Sequence, residues 1–181
     1  MDTPIKYLSG EKIYLRIPYE EDAEVIYAGL NNESESRLMR GRQVPVKLTT
    51  VKQALQQPYQ KSYAYLICLN ENDEVIGEVS ISQNGVEINR CGDFQIAIYK
   101  EEHFGSGKGT EATQLALQIA FGQLNLNRVQ LEVFQSNERA INTYEKIGFI
   151  KEGIKRQAWY TDFDYQDCVM MSLLREEFIN Y

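Results

Sequence analysis

The chain has few of the residues on which metal centres, disulfide frameworks and histidine-based catalysis depend. Its 181 residues include one histidine, His103, and three cysteines, Cys68, Cys91 and Cys168. The cysteines lie far apart and form no Cys-x-x-Cys pair, so we expect reduced core thiols in a cytoplasmic protein and no metal site. A Cys–His nucleophile would also need an oriented Asn or Asp, and no sequence signature supports one.

Long apolar runs and an excess of positive charge are also missing. No window approaches about 18 uncharged apolar residues, so no membrane span is predicted. The formal net charge of −7 argues against nucleic acid as a partner, because phosphate backbones need a basic face. An acidic surface favours encounter with a cationic substrate, although it also serves solubility alone. The globular composition, with 43% apolar and 25% charged residues, predicts a single domain over residues 1–181.

The periodicity of the apolar residues predicts an alternation of strands and helices. The first half has a predicted strand over 12–17, a helix over 20–30, a helix capped by Thr49 or Thr50 that ends near Pro58, and a hairpin over 62–69 and 75–82. A strand over 86–99 follows the Asn84–Gly85 turn, and a helix follows the glycines at 105–109 and is ended by Asn125 and Asn127. The last predicted segments are a strand over 128–134, a helix capped by Ser136 or Asn137 and closed by Gly148, and strands over 149–160 and 164–174. This order predicts an α/β fold of the α+β type, with a mixed, mostly antiparallel sheet flanked by about four helices.

The most informative segment is the glycine loop Phe104-Gly-Ser-Gly-Lys-Gly-Thr110. It joins a predicted strand to the start of a helix, where unpaired N–H groups and the helix dipole favour a phosphate or diphosphate. Glycine suits this place because a Cβ atom would block close approach of the backbone to the anion. A nucleotide-triphosphate P-loop would need a glycine at 102 and a hydroxyl at 109, where Glu102 and Gly109 stand, so we disfavour that interpretation.

A second segment restricts the interpretation further. Asn137, Ala140, Tyr144, Gly148 and Phe149 fit the pattern Asn-x-x-Ala-x-x-x-Tyr-x-x-x-Gly-Phe. Together with the preceding glycine loop, this pattern resembles the GNAT superfamily of acetyl-CoA-dependent N-acetyltransferases. Within that superfamily, the chain is most similar to the branch of ribosomal-protein N-terminal and spermidine acetyltransferases. The resemblance is strong over residues 91–178 and weaker over 10–90.

The resemblance implies a GNAT-like fold, acetyl-CoA as cosubstrate, no metal, and acetyl transfer to a primary amine of a protein N-terminus, a polyamine or a small molecule. The family's diphosphate pattern Gln/Arg-x-x-Gly-x-Gly/Ala falls on Phe104, Gly107 and Gly109. Because Phe104 departs from Gln/Arg, a side-chain contact to phosphate is lost there. The residues implied in acetyl-CoA binding are Ile96, Ala97 and Ile98 on the strand, Phe104, Gly105, Ser106, Gly107, Lys108, Gly109 and Thr110 in the loop, and Asn137, Ala140 and Tyr144 on the next helix.

Members of this family let the amine attack the thioester directly, without an acyl-enzyme. An alkyl amine has a pKa near ~10, and a carboxylate acting through water can take its proton. Asp93 and Glu132 are the candidates for this base, with water alone as the alternative. Tyr144 is the candidate acid that protonates the departing thiolate. Each of these three residues also has an ordinary structural interpretation, as a solvated carboxylate or a packed aromatic.

Several alternatives stay open at this point. A non-catalytic acyl-CoA sensor on the same fold would carry the same glycine loop. The acidic pairs Glu20–Glu21 and Glu33/Glu35 either line a polyamine pocket or are simply solvated. A homodimer is common among relatives. The remaining aromatic cluster either forms a wall of the acceptor pocket or belongs to a hairpin, and it consists of Trp159, Tyr160, Phe163 and Tyr165.

Overall fold

An eight-stranded sheet forms the centre of the protein. A computed structural model describes residues 5–32, 44–57, 62–83, 85, 87–161 and 163–178. The strands are β1 (Leu8–Ser9), β2 (Ile13–Arg16), β3 (Ser62–Leu69), β4 (Val75–Ser82), β5 (Cys91–Ile98), β6 (Arg128–Phe134), β7 (Ile150–Thr161) and β8 (Asp164–Leu174). Their order in the sheet is β1-β2-β3-β4-β5-β6-β8-β7. Among these strands, β5 and β6 form the parallel pair, and the other neighbours are antiparallel.

Helices pack on both faces of this sheet. The described helices are α1 (Ala23–Asn31), α2 (Leu48–Leu55), α3 (Lys108–Gln118), α4 (Glu138–Ile147) and α5 (Arg175–Phe178). The larger core lies between the sheet and the apolar sides of α3 and α4. On the opposite face, α1 and α2 cover Tyr14 of β2 and Leu66 and Cys68 of β3. We call these the α3/α4 face and the α1/α2 face. None of the helices in the described ranges is long and apolar enough to cross a bilayer.

The parallel pair β5–β6 separates along its length. Its backbone pairing covers Cys91, Gly92 and Asp93 opposite residues 128–130 and stops there. Pairing of β5 with β4 continues to Ile98, and pairing of β6 with β8 continues to Phe134. The two strands therefore diverge beyond Asp93 and Gln130 and open a gap in the sheet, which we call the wedge.

The predicted fold class is confirmed, and the hairpin 62–69/75–82 and the strands 128–134 and 164–174 have the predicted bounds. The predicted strand 86–99 begins later, at Cys91, because a 3-10 turn over Glu87–Asn89 precedes it and Arg90 has φ 47°. A residue in that left-handed conformation cannot continue an extended strand. Asn84, Val86 and Pro58 fall outside the described residues, as do Glu33 and Glu35.

Two predicted helix caps differ from the structure. Lys47 is the N-cap of α2, so neither Thr49 nor Thr50 caps that helix, and both lie in its first turn. Asn137, rather than Ser136, caps α4, where its Oδ1 accepts a hydrogen bond from the Ala140 N–H at 3.1 Å. The helix after the glycine loop continues beyond α3 as a π turn over Ile119–Gln123. The two-residue strand β1 and the one-turn helix α5 are too short for periodicity to predict.

Candidate active site

The glycine loop turns sharply where β5 ends and α3 begins. Gly105 has φ 68° and Gly107, the N-cap of α3, has φ 82°, both in the left-handed region that favours glycine. The consecutive main-chain N–H groups from Gly105 to Thr110 donate to no described residue. A row of unpaired donors therefore stands at the positive end of the α3 dipole, which is an arrangement that binds phosphate groups.

Side chains from distant parts of the sequence hold this loop. The Ser106 hydroxyl donates to the His103 carbonyl at 2.8 Å, and the Lys12 ammonium donates to the Ser106 carbonyl at 2.9 Å. The Glu111 carboxylate accepts from the Lys12 N–H at 3.1 and 3.2 Å. The turn between β1 and β2 thus supports the loop. Sequence reasoning missed Lys12, because no local pattern links it to a loop so far along the chain.

The wedge continues directly from the glycine loop. The predicted residues Ile96, Ala97 and Ile98 lie on the β5 edge, beyond the last residue that pairs with β6. A Cβ atom at Gly109 would lie 4.0 Å from Cγ1 of Ile98, so the first turn of α3 packs beside this edge. The loop and the wedge therefore form one continuous site at the carboxyl end of β5.

Tyr144 of α4 lies at the apex of the wedge, on the α3/α4 face. Its ring contacts Phe94, with 6.3 Å between centroids and an interplanar angle of 85°, and Phe149, at 5.6 Å and 62°. Phe94 is the first β5 residue beyond the pairing with β6. Burial raises the pKa of the Tyr144 phenol to about 12, and its hydroxyl has no hydrogen-bond partner among the described residues. The phenol is therefore protonated at neutral pH.

The N-terminus of α4 lies at the same end of the sheet as that of α3. The Asn137 N–H donates to the Phe134 carbonyl at 2.9 Å, so α4 starts directly after β6 ends. The Asn137 side chain caps the helix through Ala140, as described above. A contact from Asn137 or Ala140 to a bound molecule stays a prediction.

The two candidate bases lie on the sheet face opposite Tyr144. Side chains alternate along a strand, so Asp93 points away from the face that Phe94 occupies, and exposed Glu132 points away from buried Leu131 and Val133. Asp93 Oδ1 accepts from Nε2 of Gln130 at 2.7 Å. The Glu132 carboxylate is engaged by the Lys155 ammonium and, at 3.4 Å, by Nε1 of Trp159. A carboxylate and the phenol can therefore serve one reaction only through the open wedge.

Charged side chains next to the glycine loop pair with one another. His103 is buried in a 3-10 turn, and its Nδ1 lies 3.3 Å from the Lys108 ammonium. The Lys100 ammonium lies 2.7 Å from Glu74 Oε1 and 3.6 Å from Glu102 Oε1. This contact raises the pKa of Lys100 and lowers that of Glu74. Glu74 and Glu102 are therefore already paired with a cation of the protein itself, Lys100.

The aromatic cluster near the β7–β8 turn is exposed. Phe163 is 91% exposed and Tyr165 59%, and the Tyr160 and Tyr165 rings lie 5.2 Å apart. The Trp159 ring contacts Phe134, 6.4 Å away, and its Nε1 contacts Glu132. Trp159 therefore packs against β6. Glu20 and Glu21 are exposed in the turn before α1.

Comparison with known proteins agrees with this geometry. The family model described as "Acetyltransferase (GNAT) domain" matches residues 12–150. The spermidine N(1)-acetyltransferase of Vibrio cholerae is 34% identical over 93 residues, which cover 51% of this chain and 53% of that protein. A putative ribosomal N-acetyltransferase of Bacillus subtilis is 29% identical over 175 residues, which cover 93% and 94% of the two chains.

Solved structures show the same architecture. The crystal structure of the Vibrio cholerae spermidine N-acetyltransferase in complex with CoA and spermine superposes with a TM-score of 0.84 at 25% identity. The superposition covers 93% of this chain and 98% of that one. From the family match, the fold and the glycine loop at the end of β5, we conclude that the chain belongs to the GNAT family and is an acetyl-CoA-dependent N-acetyltransferase.

Proposed function

We propose that this enzyme binds acetyl-CoA along the glycine loop and the wedge and transfers the acetyl group to a primary alkyl amine in a ternary complex. The row of unpaired N–H groups from Gly105 to Thr110, next to an open strand edge, is the observation that carries the proposal. The amides and the α3 dipole bind the diphosphate. The β5 edge over residues 94–98 pairs with the amide groups of the pantetheine arm as an added strand would.

Tyr144 and Asp93 have complementary roles at the wedge apex. Bound acetyl-CoA supplies a thioester, and holding it beside the amine provides most of the rate gain through proximity. The Tyr144 phenol donates its proton to the departing sulfur. Asp93 takes the proton of the amine through water, because it lies where the strands part and next to the residue that contacts Tyr144. Glu132 is paired with the Lys155 ammonium and contacts Trp159, so it is the weaker candidate for the base.

The acceptor is best matched by a polyamine. Asp93 and Glu132 lie on the same face of the wedge, and the whole chain carries a net charge of −7. The similar enzyme of Vibrio cholerae is named for spermidine, and its crystal structure is a complex with CoA and spermine. A peptide N-terminus is the second candidate, because a ribosomal N-acetyltransferase is also similar over nearly the whole chain. A homodimer and a cytoplasmic location remain predictions.

A substrate panel tests the function. The enzyme is incubated with acetyl-CoA and spermidine, spermine, single amino acids or short peptides, and free thiol and acetylated product are measured. We expect thiol release and mono-acetylated product with the polyamines. Release only with peptides would move the acceptor to protein N-termini. Tight binding of acetyl-CoA without transfer to any amine would favour the sensor.

Two carboxamide variants test the assignment of the base. Asp93→Asn should lower kcat about 10²–10⁴-fold, the range for a lost general base. Glu132→Gln should lower kcat much less than Asp93→Asn does. The opposite pattern would make Glu132 the base, and unchanged kcat in both variants would leave water in that role.

A further inference from the structure

Arg139, in the first turn of α4, lies against the glycine loop. The Cζ atom of its guanidinium is 4.4 Å from the centroid of the Phe104 ring, within the distance of a cation–π contact. Phe104 is the loop residue that departs from the Gln/Arg of the family pattern. The contact therefore places a cation at the position where that pattern would have a polar or cationic side chain.

The guanidinium of Arg139 is available for a ligand. It forms no hydrogen bond or ion pair with another residue in the described part of the chain. The other cations at the loop are engaged: Lys108 contacts Nδ1 of His103 at 3.3 Å, and Lys12 donates to the Ser106 carbonyl at 2.9 Å. A guanidinium that stacks on a ring keeps its in-plane N–H donors, which match two phosphate oxygens at once.

We propose that Arg139, held by the Phe104 ring, binds the diphosphate of CoA and restores the side-chain contact that Phe104 itself cannot make. This inference rests on the proposed seat of CoA at the glycine loop. Phe104 positions the arginine, and the guanidinium donates two hydrogen bonds to the phosphate oxygens. A local cation also offsets the repulsion that an acidic protein exerts on an anionic cosubstrate.

Calorimetry with CoA on matched variants tests the proposal. Arg139→Ala should weaken CoA binding at least about tenfold, because the loss of even one hydrogen bond to a charged group costs about that much. Lys146→Ala removes the same charge from the last turn of the same helix and should leave the affinity unchanged. In the acetylation assay, Arg139→Ala should raise KM for acetyl-CoA and leave kcat unchanged. A wild-type protein that does not bind CoA would refute the proposed function, whereas equal affinity of the wild type and Arg139→Ala would refute this inference alone.

Two further measurements test which phosphate Arg139 contacts and whether Phe104 positions it. Dephospho-CoA, which lacks the 3′-phosphate, should show the same tenfold difference, and loss of the difference would place Arg139 at the 3′-phosphate and overturn the assignment. Phe104→Leu removes the ring face and keeps an apolar side chain. It should weaken CoA binding in the wild type but cause no further loss in Arg139→Ala, whereas independent losses would show that Phe104 does not position the arginine.

Discussion

Replacing Tyr144 with phenylalanine separates catalysis from packing more cleanly than other changes in this site. Tyr144 contacts Phe94 and Phe149 through its aromatic ring, and phenylalanine keeps that ring. The hydroxyl has no partner among the described residues, so its removal leaves no hydrogen-bonding group unpaired there. We expect a change in the free energy of unfolding within about 1 kcal/mol.

The loss of activity follows from the chemistry of the leaving group. General acid catalysis contributes about 10²–10⁴-fold. A thiol has a pKa of about 8.5 and leaves readily as a thiolate, so its need for an acid is modest. The Tyr144 phenol, with a pKa of about 12, is a weak donor. Both facts favour the lower end of the range for general acid catalysis. We therefore predict that Tyr144→Phe lowers kcat about 100-fold, which corresponds to about 2.7 kcal/mol in activation free energy.

The assay is steady-state thiol release at saturating acetyl-CoA and amine, together with calorimetry for CoA. The variant should bind CoA with unchanged affinity. A kcat within about fivefold of the wild type, in a protein that still binds CoA, would refute the role of Tyr144 as acid. A parallel loss of CoA affinity and thermal stability would instead show that the hydroxyl is structural.

Two predictions concern stability. The Arg16 guanidinium is buried and donates to both carboxylate oxygens of Asp22 at 2.7 Å. Asp22→Ala leaves this charge unpaired and should therefore lower the free energy of unfolding by about 3–5 kcal/mol in urea titrations. A loss below about 1 kcal/mol would contradict the pairing. Hydrogen bonds from Arg128 and Ser172 lower the pKa of Glu152 to about 2. Because this folded-state pKa is depressed, the stabilisation is present above the ordinary pKa of about 4.5 and disappears as the pH falls towards 2. Glu152→Gln should therefore lose less stability than the wild type over that interval, and identical acid profiles would exclude the contribution.

The elements that sequence could predict are those with a strong local signal. The segment 128–134 alternates cleanly because one side chain in two faces the core, and the structure has it as β6 with those bounds. Gly107 and Gly148 mark the start of α3 and the end of α4, and both have positive φ. The family followed from the same two places, because a phosphate-binding loop and a helix cap depend on residues close together in sequence.

The features that sequence did not predict depend on residues far apart in the chain. Lys12 reaches the carbonyl of Ser106, and Arg139 stacks on Phe104, through contacts that no periodicity encodes. The wedge arises because the β5–β6 pairing stops at Asp93. The alternation of residues within one strand does not indicate where its neighbouring strand diverges. That Tyr144 and the two carboxylates lie on opposite faces of the sheet could likewise be seen only in the three-dimensional structure.

We propose above all that the main-chain amides of the glycine loop bind the diphosphate of CoA. Titration of isotope-labelled protein with CoA, followed by amide NMR shifts, tests this directly, since each N–H between Gly105 and Thr110 gives its own signal. The largest shifts should occur at these residues, with smaller ones along the β5 edge at 94–98. Saturable CoA binding that leaves the 105–110 amides unshifted would contradict the account.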